Sequence, residues 1–117
     1  MLGADQVAVT ALCMSEHPGI VFRPGPTGRR AALAAGPDVW EIIRGVKSAR
    51  TAVPELADDG LLALIADNTG TPLRLVRTAV RYWASYPDEI DAEIAAADAA
   101  EDAAEQAWRR EHQLRAG

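Results

Sequence analysis

Residues 61–83, LLALIADNTGTPLRLVRTAVRYW, decide how the rest of the chain is read. The stretch predicts two short helices joined by a tight turn, with a basic outer face on the second. Ala66 and Gly70 stand four apart, and Val76 follows six residues after Gly70. A helix-turn-helix needs a small residue where its second helix crosses the first. Its turn needs a residue that tolerates positive φ, which glycine does without strain. An apolar residue in the second helix then locks the pair, and Val76 fills that place. The expectation is a chain that binds DNA or descends from one that did.

Thr71 reads as the N-cap of the second helix, with Pro72 at the first helical position, where its missing N–H costs nothing. Leu73, Val76, Val80 and Trp83 recur at helical steps and predict the buried stripe. Arg74, Arg77, Thr78 and Arg81 recur on another face. Arginines and a threonine there can reach phosphates and, in the major groove, guanine edges. The plain alternative is a solvated helix face.

Upstream, GIVFR (19–23) reads as a strand and RRAALAA (29–35) as a second strand or a turn of helix. Pro24-Gly25-Pro26-Thr27-Gly28 forms a turn between them, which gives a β-hairpin. QVAVTALCM (6–14) reads equally as a strand or a short helix. Asp38 can cap a helix from Val39 to about Ala49, with Val39, Ile42, Ile43 and Val46 inward. The expected core centres on Trp40 and Trp83, with Ile42, Ile43, Leu62, Ile65, Val76 and Val80 around them. Val21 and Phe22 serve either this core or a dimer seam.

Downstream, Tyr86-Pro87 ends the arginine helix, and Asp88 and Glu89 open a last one at the positive end of its dipole. It extends to about residue 114, favoured by alanine. Ile90, Ile94, Trp108 and Leu114 are its few large apolar residues. So thin a stripe predicts a segment partly free in solution that orders on a partner. The fold class is therefore mainly α: a short N-terminal hairpin, a trihelical helix-turn-helix domain over 1–86, and a long acidic helix over 87–117.

The net charge of −5 is unevenly spread over the 117 residues. Residues 20–86 carry nine Lys and Arg against six Asp and Glu, whereas residues 87–117 carry three Arg against nine acids. A weakly basic body with an acidic tail calls for two copies to bind DNA tightly. The single Cys13 excludes an internal disulfide. The first residues lack a basic n-region and a long apolar run, so neither a signal peptide nor a membrane span is expected, and a cytoplasmic location is. No phosphate-binding loop occurs, and His17 and His112 stand apart from any metal-ligand spacing. Asp58-Asp59 and Asp88-Glu89 read as caps, so no catalysis, cofactor or metal is expected.

The order of a strand holding Val21-Phe22-Arg23, a glycine-containing turn, a second strand and a helix-turn-helix is informative. With Ala79-Val80-Arg81-Tyr82-Trp83 and Tyr86-Pro87-Asp88-Glu89-Ile90 it resembles a small bacterial family catalogued as domain of unknown function 433. The resemblance covers roughly residues 18–94. Its members look like Vap-type antitoxins of PIN-domain ribonuclease toxins. The segment from Arg23 to Arg30 is longer than the family's loop, as is the linker from Gly45 to Glu55. The resemblance implies a dimeric antitoxin of a type II toxin-antitoxin pair that binds its own promoter and meets a toxin with its C-terminal part. It places loop contacts on Arg29 or Arg30 and second-helix contacts on Arg74, Arg77 and Arg81. Thr71 and Thr78 complete the candidate DNA set, and Ile90, Ile94, Trp108 and Leu114 form the candidate partner set. The competing expectation is a dimeric interaction module that does not bind DNA.

Overall fold

A computed structural model describes Leu12 and residues 16–25 and 28–116. Segment 6–14, apart from Leu12, lies outside the described residues, as do Cys13, Pro26 and Thr27. Two strands, β1 (Ile20–Arg23) and β2 (Arg30–Leu33), pair antiparallel with Ile20 opposite Leu33 and Arg23 opposite Arg30. Four helices follow: α1 (Val39–Ala52), α2 (Asp58–Thr69), α3 (Leu73–Ser85) and α4 (Pro87–Ala116). The chain is mainly helical with a short N-terminal hairpin and a long last helix, as the sequence led one to expect. No described helix is long and apolar enough to cross a membrane.

The helix-turn-helix is built by the three residues that suggested it. Gly70 ends α2 in the left-handed region at φ 67°. The next amide, that of Thr71, donates to Ala66 O at 3.2 Å. Val76 is fully buried, and Ala66 packs against the core beside it. The start of α3 is shifted by one residue from expectation. Pro72, with extended ψ, holds the cap position, and its carbonyl accepts from the amides of Leu75 and Val76. Proline has no side-chain acceptor, so this cap works through the backbone alone. Among the described residues the buried Thr71 hydroxyl has no hydrogen-bond partner.

The core lies one stripe over on α3 from where the sequence pattern put it. Leu75, Val76, Thr78, Ala79 and Tyr82 are buried, whereas Leu73, Val80 and Trp83 are half-buried. Both stripes are apolar enough, and the hairpin and α4 together cover the one that carries Tyr82. Tyr82 is wholly buried, with Phe22, His17 and Tyr86 set edge-on or tilted around it at 5.0–6.2 Å. Its hydroxyl donates to Glu89 Oε2 at 2.9 Å. Around it close Ile20, Ala31 and Leu33 of the hairpin, Val39, Ile42 and Ile43 of α1, Ile65 of α2 and Ile90 of α4. Trp40 and Trp83 flank this core instead of centring it. Trp83 and Val80 line a shallow groove against Val46 and Leu61.

The last helix has two distinct halves. Its first part packs against α1 and α3, with Ile90 fully buried and Ile94 against the core. From Asp98 to Ala116 every residue is exposed.

Candidate nucleic-acid interface

Arg74, Arg77 and Arg81 lie at steps of three and four on α3, so they share one strip of its surface. All three are exposed, and the opposite side of the helix carries the core. Arg74 and Arg81 form no ion pair among the described residues, and Arg77 reaches only Asp59 at 3.9 Å. A helix held by Val76 and Ala79 inside while three guanidinium groups face outward is suited to a polyanion. Each group offers five donors in a fixed fork that matches a phosphate or a guanine edge.

The other candidate DNA residues fall elsewhere. Thr78 is only 7% exposed, and its hydroxyl donates back to Arg74 O at 2.9 Å. Thr71 is 6% exposed. Both threonines are spent on the inner side of the turn and helix. They fell into the candidate set because a step of three or four fits either side of an arc boundary. Arg29 and Arg30 point into a cleft of about 940 Å³ between the hairpin, the start of α1 and the first half of α4. Arg29 lies over the Phe22 ring at 4.4 Å and 3.6 Å from Glu89 Oε2. Arg30 Nε stands 2.9 Å from Asp38 Oδ2, which also accepts from the Trp40 indole at 3.2 Å. Asp38 does occupy the N-cap of α1, but these two contacts use its carboxylate and it makes no side-chain cap hydrogen bond.

The acidic helix spends its charge at home. Six acids and no base lie in residues 87–101, whereas residues 102–116 carry three of each sign. Arg44 Nη1 donates to Glu101 at 2.9 Å and to Asp98 at 3.2 Å. These carboxylates hold the guanidinium pKa above its ordinary value. Lys47 donates to Asp91 at 2.7 Å, and the Trp83 indole donates to the same oxygen at 2.9 Å. The Lys47 bond first, then the indole, lowers the Asp91 pKa. The two cations also lie over aromatic rings, Arg44 over Trp40 at 4.9 Å and Lys47 over Trp83 at 5.3 Å. The sequence offered one local hint of this layer, the i,i+4 spacing of Trp40 and Arg44. Trp83 and Asp91 are eight residues apart across the α3–α4 junction, and the partners of Arg44 and Lys47 on α3 and α4 are 36 or more residues away.

Of the candidate partner residues, Ile90 and Ile94 belong to the chain's own core. Trp108 and Leu114 are 61% and 83% exposed. Trp108 stacks on His112 at 5.1 Å. Around them, Arg109 pairs with Glu105 and Arg115 with Glu111, each i,i+4 with the acid first, the favoured order on a helix. Residues 102–116, the outer part of the exposed half, are therefore net neutral and carry two large apolar side chains.

Among the described residues no group of three His, Cys, Asp or Glu side chains could hold a metal ion. No protein-family model, curated protein or solved structure matches this chain.

Proposed function

We propose that this chain is a DNA-binding antitoxin that represses its own promoter through α3 and grips a PIN-type ribonuclease toxin with the exposed end of α4. The observation that carries the DNA reading is the strip of Arg74, Arg77 and Arg81. It is exposed, and among the described residues its one ion pair is the long contact of Arg77, on the second helix of a helix-turn-helix. The antitoxin part is supported by the resemblance of residues 18–94 and by the exposed Trp108 and Leu114. The protein works in the cytoplasm, where both promoter and toxin are found.

One copy offers three arginines, so useful affinity calls for two copies on a two-fold site. Phe22 is already engaged within the chain, under Arg29 and edge-on to Tyr82, and does not carry that pairing. Among the described residues β1 pairs only with β2, and its other edge is the better seam. Sedimentation at micromolar concentration should give a dimer.

The test is DNA binding to the chain's upstream region, followed by fluorescence anisotropy across a salt series. Replacing all three arginines with alanine should abolish the shift. A residue on a guanine should cost ~1–3 kcal/mol and relax one base position, and a residue on a phosphate should lower the salt slope by about 0.9. A folded triple variant that binds like the parent refutes the reading. A second reading, a dimeric interaction module without DNA, is favoured by the way α4 neutralises Arg29, Arg44 and Lys47 of the body. Absence of any shift at low salt, with Trp108→Asp still releasing a co-purifying nuclease, would select it.

A further inference from the structure

The cleft of about 940 Å³ between hairpin, α1 and α4 is lined by no residue of α3, so a partner seated in it need not cover the arginine strip. Ala92, Ala96 and Ala97 make one wall, and Pro37 and the half-buried Trp40 line another part. Small side chains on a helix let a second element approach closely.

The charges of this lining are unevenly spent. Arg29 stands 3.6 Å from Glu89 and Arg30 2.9 Å from Asp38, both within the chain. Glu93 is half-buried, with one carboxylate oxygen sealed from solvent. Arg23, the last residue of β1, and Glu41, in the first turn of α1, are different. Both are exposed, and among the described residues neither forms an ion pair. One concave face therefore carries an open cation, an open carboxylate and an apolar wall.

Such a face is complementary to its own copy. In a two-fold pair, contact of Arg23 with Glu41 of a second copy brings Glu41 onto the second copy's Arg23 by symmetry, whatever the spacing of the two residues within one chain. The strip on α3 has the opposite character, since three exposed arginines repel a copy of themselves. The edge of β1 away from β2 runs into the cleft face at Arg23, so strand edge and cleft make one continuous surface.

We propose that two copies of this chain meet at the cleft face about a two-fold axis, with Arg23 of each on Glu41 of the other and the alanine wall and Trp40 covered between them. The pairing rests on the dimeric reading of the chain and supplies its contacts. Both arginine strips stay clear of the joint, as a two-fold DNA site requires.

Sedimentation velocity of the full chain over a micromolar concentration series tests the joint. Arg23→Glu and Glu41→Arg alter exposed side chains and leave the fold intact, which circular dichroism checks. Each change alone sets two like-charged pairs against each other and should weaken self-association by about tenfold or more. Mixed in equal amounts, the two variants again present opposite charges at both contacts, because one copy is acidic at both positions and the other basic at both. The mixture should form a heterodimer about as tight as the parent dimer, and the double variant Arg23→Glu/Glu41→Arg should dimerise like the parent. A parent that stays monomeric overturns the dimeric reading and this joint together. A dimer that ignores both single changes, or single variants that stay apart when mixed, overturns the joint alone. The assay contains no DNA, so its outcome is independent of the arginine strip.

Discussion

Tyr82→Ala should be the most damaging single truncation in this domain. The residue is wholly buried, contacts three other rings and donates a hydrogen bond to the Glu89 carboxylate. Removing a buried aromatic side chain costs ~3–5 kcal/mol, a large part of the ~5–15 kcal/mol that holds a domain together. Tyr82→Phe isolates the hydroxyl. A hydrogen bond to a charged group is worth ~1.5–3 kcal/mol, and the lower end applies because Arg29 still faces Glu89 Oε2 at 3.6 Å. At ~4–8 °C per kcal/mol for a domain of this size, Phe should lower Tm by ~6–12 °C and Ala by more than ~12 °C. Trp83→Ala should cost less than Tyr82→Ala, since Trp83 is half-buried and held from outside by Asp91 and Lys47. Thermal and urea unfolding followed by circular dichroism measures all three. If Trp83→Ala melts below Tyr82→Ala, the core is centred on the wrong ring and the reasoning fails.

Stability should fall as pH rises from about 4.5 to about 7, because Glu93 binds its proton more tightly in the folded chain than in the unfolded one. Its contribution is full below its ordinary pKa and lost above the raised one; Tm against pH should flatten in this window in Glu93→Gln, and an unchanged slope would refute the assignment. Asp91 acts in the opposite sense, and the stability it adds is lost as acid protonates it. Gly70→Ala should cost ~1–2 kcal/mol through its left-handed backbone alone, since a Cβ there meets nothing within 4 Å; a neutral result would mean that the turn relaxes. Removing residues 102–117 should leave Tm within a few degrees of the parent and abolish capture of the proposed toxin, and amide exchange in this segment should be fast. Slow exchange would show the arm to be packed.

The turn was readable because its chemistry is local. Gly70 has to adopt positive φ, and Ala66 and Val76 act within ten residues of it, so spacing alone placed them. The hairpin and the ends of α3 and α4 followed from proline, glycine and capping acids. The buried arc of α3 was harder. Eight apolar positions span more than half of its circumference, and only the approach of the hairpin and α4 decides that Tyr82 goes inward and Trp83 to the flank. Arg29 and Arg30 illustrate the same limit. Each reads from sequence as a free loop cation, yet Glu89 and Asp38, which receive them, come from different elements. The apparent acidity of the tail dissolved for the same reason, since Asp91, Asp98 and Glu101 meet Lys47 and Arg44 only in three dimensions.

The two halves of α4 make it a lever with a soft pivot. Beyond Glu101 some fifteen residues project unsupported, ~22 Å at 1.5 Å per residue, with Leu114 near the tip. A sideways load at that tip turns the rod about the place where Arg44 clasps Asp98 and Glu101. Those ion pairs are exposed, and such pairs hold with only ~0–1 kcal/mol each. The clasp therefore slips before Ile90 is disturbed, and strain applied from outside is dissipated at Arg44 and Trp40. The helix-turn-helix on the far side of Ile90 stays mechanically insulated from whatever pulls on the arm.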